Sequence, residues 1–229
     1  SRHFGIGGDE YFGGDNLTLA VAEILQDRAR RILAEADSGA ALELPVARPD
    51  EPREADSIAS ANAQYILELA EAVKRHQCAR ARTARDAERL KLSWQAACNR
   101  LQVREVGGGA HQPLASLEPI LKAFAAAADS LLDVTLDAIY DHVVQADFTG
   151  RPGYTVRDRV TRCVEKLKAF AQRVDPEARP EPDFIVLAGA GCRLPLARDL
   201  IRQEFPRATI VEDEKHAKSK VARGLLYYL

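Results

Sequence analysis

The chain has 229 residues, which is enough for one domain of ordinary size or for two small ones. Acidic and basic residues are interspersed and the formal net charge is -2, so a surface for nucleic acid or an anionic membrane is not indicated. No apolar run approaches the roughly 20 residues that cross a bilayer and no secretory leader opens the chain, which predicts a soluble cytoplasmic protein.

A glycine-rich loop is predicted at Gly7–Asn16, because turn-forming residues at this density exclude regular structure. A helix should follow, capped by Asp15 or Asn16. Its inward face is marked by residues at spacings of three and four, with Arg28 contributing only its stem: Leu17, Val21, Ile24, Leu25, Arg28 and Ile32. The loop acids are able to hold a metal or a water, although such acids more often cap helices or stay solvated: Asp9, Glu10 and Asp15.

The next part of the chain is predicted to be mainly helical around one strand. In chain order we expect an irregular connector at Ser38–Arg53 with room for a short extended piece at Leu42–Val46, helices at Ala55–Ala72 and Ala79–Ala97, and an edge strand at Leu101–Val106. Glu88 and Lys91 are three residues apart and share a face of the second helix. By themselves they are most simply a solvent-exposed ion pair.

The segment Leu131–Val144 has two interpretations, because its apolar residues fit both a helical and an alternating pattern; we favour the helix. A helix is expected before it at Leu117–Ala128. After it, Phe148–Gly153 is a predicted turn and Thr155 should cap a long helix at Val156–Val174. The inward residues of that helix are expected to be Val160, Cys163, Val164, Leu167 and Phe170.

The unit that organises the chain follows a proline-rich link. Phe184–Leu187 is an unbroken apolar run, which predicts a strand buried on both faces, and a helix begins near Pro195. The glycines between them let the backbone approach a ligand at the carboxyl end of the strand, although the local sequence by itself favours an ordinary strand-to-helix turn. A second strand at Ala208–Val211 and a closing helix at Lys218–Leu229 complete the prediction.

Few residues suggest catalytic chemistry. The five histidines do not cluster, and no set of nucleophile and base can be named, so no catalytic residue is predicted. The four cysteines lie far apart, which argues against a zinc site and a disulfide framework. The sequence contains no methionine, and we therefore expect it to begin inside a larger reading frame.

Five segments carry motifs that occur in this order in one known family: Gly8–Leu17, Ala87–Ser93, Val164–Phe170, Leu187–Pro195 and Val221–Gly224. Together they resemble the second lobe of the nucleotide-binding domain of the seventy-kilodalton heat-shock chaperones, within the actin-like ATPase superfamily. The fourth segment, Leu-Ala-Gly-Ala-Gly-Cys-Arg-Leu-Pro, resembles the family's adenosine motif Leu-Val-Gly-Gly-Ser-Thr-Arg-Ile-Pro.

The resemblance implies an α/β fold, an actin-like ATPase half-domain with a small mixed sheet, flanking helices and a largely helical subdomain. It assigns residues 1–13 and 155–229 to the α/β subdomain that carries the adenosine-type motif. It assigns residues 14–154 to an upper, mainly helical subdomain, in which the region around Trp94–Val144 is an insertion without a clear counterpart in the family.

The resemblance also implies a nucleotide site. Gly189, Ala190, Gly191 and Arg193 would lie against adenine and ribose, Glu88 and Lys91 would face them across the base, and Gly13 and Gly14 would lie near the nucleotide. A guanidinium plane stacks on adenine, and Glu with Lys can hydrogen-bond ribose hydroxyls. Two positions depart from the family, since Gly191 replaces a Ser and Ser93 comes two residues earlier than the family's Ser.

The expected ligand is therefore ATP or ADP, with Mg²⁺ in the full-length parent, and a protein partner or exchange factor is expected on the upper subdomain. In this superfamily the phosphate-gripping hairpins and catalytic carboxylates belong to segments before the point where this sequence begins. We therefore expect the parent to be an ATPase and these 229 residues alone not to hydrolyse ATP. Two alternatives stay open: an interaction domain that binds no nucleotide, and part of an actin-like kinase or reactivating ATPase.

Overall fold

The computed structural model describes residues 13–36, 40–41, 58–79, 83–105, 111–145, 153–174, 182–187 and 194–212. This part of the chain is mostly helical with small sheets, and is broadly α/β as the sequence predicts. Its helices are α1 (Gly14–Glu35), α2 (Ile58–Cys78), α3 (Ala84–Cys98), α4 (Glu118–Ala126), α5 (Ala128–Leu132), α6 (Leu136–Asp141), α7 (Val156–Val174) and α8 (Pro195–Glu204). Its strands are β1 (Ala40–Ala41), β2 (Gln102–Glu105), β3 (His111–Pro113), β4 (Val143–Val144), β5 (Tyr154–Thr155), β6 (Phe184–Leu187) and β7 (Thr209–Glu212).

The chain divides into two compact units. One consists of Ser1–Gly14 with Arg157–Leu229, and the other, which we call the middle unit, is Asp15–Val156. The assignment of 1–13 and 155–229 to an adenosine-binding α/β subdomain, and of 14–154 to an upper helical subdomain, stays a prediction. Across the described residues, no helix is long and apolar enough to cross a membrane.

Several sequence predictions fall outside the described residues. They are the loop at 7–12, the extended piece at Leu42–Val46, the turn at 148–152, the proline-rich link at 176–181, the adenosine-type turn at 188–193 and the closing helix at Lys218–Leu229.

The first half of helix α1 is buried around most of its circumference rather than on one face. Every residue from Asn16 to Glu23 is buried, whereas Ile24 and Ile32, both predicted to face inward, are only half-buried. Small residues allow this burial, because Ala20 and Ala29 are fully enclosed and let neighbouring elements approach closely. The polar start of the helix is paired, since the buried amide of Asn16 donates to the Tyr154 hydroxyl at 2.8 Å.

The guanidinium of Arg28 has a structural role beyond the expected packing of its stem. Its Nη1 donates to the carbonyl oxygens of Ser130 at 2.7 Å and Leu131 at 2.8 Å, at the carboxyl end of α5. The last carbonyls of a helix lack partners within the helix, and a cation suits the negative end of its dipole. Arg28 therefore caps α5 from α1.

Strand β2 is the central strand of a three-stranded antiparallel sheet, so the prediction of an edge strand is wrong. The order is β1-β2-β3, with Arg104 opposite Ala41 on one side and His111 on the other. Helix α2 is fixed to this sheet by Asn62, which is fully buried. Its Nδ2 donates to the Gln102 carbonyl at 2.8 Å and its Oδ1 accepts the Gln102 N–H at 2.9 Å.

The ambiguous segment 131–144 contains pieces of both predicted structures. Helix α5 ends at Leu132, and α6 begins after Thr135, whose Oγ1 accepts the Ala138 N–H at 3.2 Å as an N-cap. Val143–Val144 then pairs antiparallel with Tyr154–Thr155. The prediction of a single helix over 131–144 is therefore wrong, because the helix is interrupted before Thr135 and the segment ends in strand β4. Gly153, at φ 77°, closes the hairpin through its N–H on the Val144 carbonyl.

The other unit contains the parallel pair β6–β7, joined through α8, with Leu187 opposite Glu212. Helix α7 has the predicted bounds, and Lys168 on α7 pairs with Glu204 on α8 at 2.6 Å. The prediction that β6 is buried on both faces is wrong, because Phe184 is 68% and Val186 59% exposed. Similarly, Leu167 was expected to point inward and is 43% exposed.

Candidate functional site

Helix α3 carries the two described side chains that the resemblance assigns to adenosine. The helix begins with a capping box, in which Thr83 Oγ1 accepts the Asp86 N–H and Asp86 Oδ2 accepts the Thr83 N–H, both at 3.2 Å. The hydrogen bonds from Thr83 lower the pKa of the Asp86 carboxyl. This cap defines where the helix starts and therefore which residues share a face.

One stripe of α3 is buried and the rest of the helix is exposed. The buried positions follow spacings of three and four and comprise Leu90, Trp94, Ala97 and Cys98. Trp94 is 1% exposed, its ring centroid lies 5.4 Å from that of Phe124, and its indole N–H donates to the Phe124 carbonyl at 3.4 Å. Trp94 is therefore a packing residue of the core.

Glu88 and Lys91 both lie on the exposed part of α3. They do not form the helical ion pair that the sequence offers as the simplest explanation. Instead, Lys91 Nζ lies 2.7 Å from Oδ1 of Asp129 in the first turn of α5. Lys91 and Asp129 stay solvent-accessible, with side chains 52% and 79% exposed. A ligand can therefore reach Glu88 and Lys91 from solvent.

Two neighbours of Glu88 and Lys91 differ from each other in polarity. Ser93 is exposed, and its hydroxyl donates to the Arg89 carbonyl of its own helix at 3.0 Å. Leu92 is 59% exposed and lies four residues from Glu88, on the same side of α3. Sequence reasoning did not single out Leu92, because helical periodicity does not distinguish an exposed leucine from an inward one.

Gly13 and Gly14 lie at the start of α1 and are exposed. A Cβ added at Gly13 would meet no atom within 4 Å, and Gly13 is not among the described glycines with positive φ. Neither crowding nor backbone conformation therefore requires glycine there. Gly189, Ala190, Gly191 and Arg193 lie outside the described residues, so the structure does not test their assignment.

The sequence analysis did not predict a network of hydrogen bonds between α1 and α2 in the middle unit. Thr18 is buried on α1, where its hydroxyl donates to Glu71 at 2.8 Å and accepts from Lys74 at 2.7 Å. Glu71 also pairs with Lys74 and Arg75 on its own helix, α2. Helical spacing suggests the pairs within α2, but no local pattern indicates that Thr18 joins them. The network connects α1 to α2, and its role is therefore to stabilise the packing of these two helices.

Metal and thiol chemistry find little support in the part of the chain that the structure describes. Within these residues, no group of three His, Cys, Asp or Glu side chains could hold a metal ion. Asp15 lies exposed in the first turn of α1, while Asp9 and Glu10 fall outside the described residues. Burial raises the pKa of the Cys98 thiol to about 12, so this thiol stays protonated and unreactive at neutral pH.

Comparison with known proteins gives no relative for the chain. No family model, no curated protein and no solved structure matches it.

Proposed function

We propose that the chain contributes the adenosine half of the nucleotide site of a chaperone-like ATP-binding protein, together with a unit that binds a protein partner. The proposal derives from the resemblance to the second lobe of the heat-shock chaperones. In this assignment Glu88 and Lys91 hold the ribose hydroxyls, Arg193 stacks on adenine, and Gly189, Ala190 and Gly191 let the backbone approach the nucleoside.

The observation that carries the proposal is the position of Glu88 and Lys91. Both side chains are exposed on one capped helix, whose buried stripe through Leu90 and Trp94 runs beside Lys91. A carboxylate and an ammonium on one exposed face can accept from and donate to a pair of vicinal hydroxyls. Burial of Leu90 and Trp94 holds the helix backbone that carries them.

The parallel pair β6–β7 supports the second part of the assignment. β6 ends at Leu187, and the chain continues directly into the adenosine-type segment before α8 begins at Pro195. The carboxyl ends of parallel strands in open α/β sheets are common ligand sites. The carboxyl end of β6, at Leu187, is therefore the part of the described chain where this assignment expects the nucleoside.

The proposal is tested by titrating the chain with adenosine, ADP and ATP in a calorimeter. We expect saturable adenosine binding and a loss of about tenfold in affinity for Glu88→Gln, since a hydrogen bond involving a charged group is worth about 1.5 kcal/mol or more. Glu118→Gln, an exposed acid on α4, is the matched control and should leave the affinity unchanged. No phosphate release from ATP is expected. Equal affinity in the two variants would exclude Glu88 from the site.

One observation favours the interaction-domain alternative. Lys91 already has a carboxylate partner, Asp129, within its own unit, so its orientation needs no ligand to explain it. Under this alternative the chain would have the fold of the family but would not bind nucleotide. Calorimetric silence toward adenosine, ADP and ATP, in a chain whose buried Trp94 reports a folded state, would favour it.

A further inference from the structure

The ion pair between Lys91 and Asp129 joins two parts of the chain with different origins in the proposed assignment. Lys91 lies in the segment that resembles the chaperone helix, whereas Asp129 lies in the region around Trp94–Val144 that has no clear counterpart there. Asp129 occupies the first turn of α5, where a carboxylate suits the positive end of the helix dipole. The separation of Nζ and Oδ1 is 2.7 Å, within the range of a charge-assisted hydrogen bond.

This contact changes what Lys91 can offer a ligand. An ammonium group has three N–H donors, and the bond to Asp129 uses one of them. The remaining donors can still reach neutral hydroxyls. The attraction to a polyphosphate is weaker, however, because the adjacent carboxylate opposes the charge of the ammonium at distances beyond the pair itself.

We infer that Asp129 is a positioning residue that makes Lys91 a hydrogen-bond donor to the neutral nucleoside rather than a cation that attracts phosphate. This inference rests on the proposed function. Recognition by α3 then depends on the nucleoside and is nearly independent of the number of phosphates attached to it. The inserted region thereby sets the selectivity of Lys91, which lies outside it.

The test measures the affinities of adenosine, ADP and ATP for the chain and its variants, without added metal and at low ionic strength. For the unsubstituted chain, the three affinities should agree within about threefold, since the carboxylate of Asp129 offsets the charge of Lys91 at the distance of a phosphate. Asp129→Asn frees that charge, so ATP should bind about three- to tenfold more tightly while adenosine changes by less than about twofold. Asp129→Glu restores the carboxylate and should restore the ratio of ATP affinity to adenosine affinity found for the unsubstituted chain.

Glu118→Gln provides the matched control. It removes one negative charge from another exposed acid–lysine pair of the middle unit, Glu118–Lys122, which has the same 2.7 Å separation. The ratio of ATP to adenosine affinity should stay unchanged in this variant. Raising the ionic strength should abolish the gain of Asp129→Asn for ATP and leave adenosine binding unaltered, which a loss of structure would not do.

The outcomes separate this inference from the proposed function. Binding of all three ligands, with a ratio that Asp129→Asn does not alter, overturns the role of Asp129 and leaves the nucleoside site standing. A ratio of ATP to adenosine affinity above about threefold in the unsubstituted chain also overturns it, because Lys91 would then act as a free cation. The absence of saturable binding by the unsubstituted chain and every variant overturns the proposed function and the inference together.

Discussion

Nε2 of His142 lies 2.7 Å from Oε2 of Glu23, whose side chain is only 5% exposed. The backbone N–H of Gln145 donates to both oxygens of the same carboxylate, at 3.2 and 3.1 Å. A buried carboxylate is tolerated only where donors replace its lost hydration. This contact therefore fastens the start of the β4–β5 hairpin to the centre of α1.

Replacing Glu23 should destabilise the chain strongly. Glu23→Ala leaves the His142 ring and the Gln145 N–H without their acceptor and opens a small cavity, so we expect a loss of about 2–4 kcal/mol in the free energy of unfolding. Urea unfolding followed by the fluorescence of Trp94 measures it. Glu35→Ala, at the exposed end of the same helix, should stay within about 0.5 kcal/mol. Similar losses in the two variants would contradict the role given to Glu23.

Acid sensitivity should arise in part from Glu71. Burial by itself would raise the pKa of this carboxyl, but hydrogen bonds from Lys74, Thr18 and Arg75 outweigh burial and hold the pKa below the ordinary 4.5. A depressed pKa in the folded state contributes stability at neutral pH, and this contribution is lost as the pH falls from about 4.5 through the folded-state pKa. Unfolding free energies at about pH 7 and pH 3.5 should therefore differ less in Glu71→Gln than in the unsubstituted chain. An equal difference would argue against the network.

Trp94 should be the most sensitive position on α3. Trp94→Ala removes a fully enclosed ring that packs on Phe124, and about 3–5 kcal/mol of stability should be lost. Leu92→Ala, two residues earlier on the exposed side, should change stability by less than about 0.5 kcal/mol. Circular dichroism during urea unfolding compares the two, since the first variant lacks the fluorescent side chain. A large loss at Leu92 would mean that a surface covers it in solution.

A substitution at Gly13 can distinguish an effect on ligand binding from an effect on folding. A Cβ there meets nothing within 4 Å, so Gly13→Ala should fold with a loss below about 1 kcal/mol. If a nucleotide approaches this backbone, as the resemblance implies, the added methyl group should weaken ADP binding by about tenfold through direct contact. Calorimetry of the variant and a parallel unfolding curve measure both effects. Unchanged ADP affinity would remove Gly13 from the proposed site.

Local signals predicted the elements that depend only on nearby residues. The bounds of α7 follow from strong amphipathic periodicity after a turn, and the strands at 184–187 and 209–212 follow from short apolar runs. The segment 131–144 could not be settled in the same way. The break at 133–135 is set by Thr135 as an N-cap, and β4 exists because it pairs with a strand beyond the next turn.

Contacts between distant residues explain the remaining errors. β2 is central because β1, which precedes α2 and α3 in the chain, and β3, the next strand along the chain, pair on its two sides. Neither partner strand was predicted from the sequence. At the candidate site, periodicity placed Glu88 and Lys91 on a common side of α3, but only the fold brings Asp129 to Lys91. The proposed roles of Gly189, Ala190, Gly191 and Arg193 are predictions from the resemblance alone.

Hydrogen–deuterium exchange of the chain with and without saturating ADP tests the central claim most directly. The proposal predicts slower exchange in two separate peptides, one containing α3 with Glu88 and Lys91 and one containing residues 188–195, because a single adenosine would contact both. Slower exchange in neither peptide, or in only one of them, would contradict a shared nucleoside site.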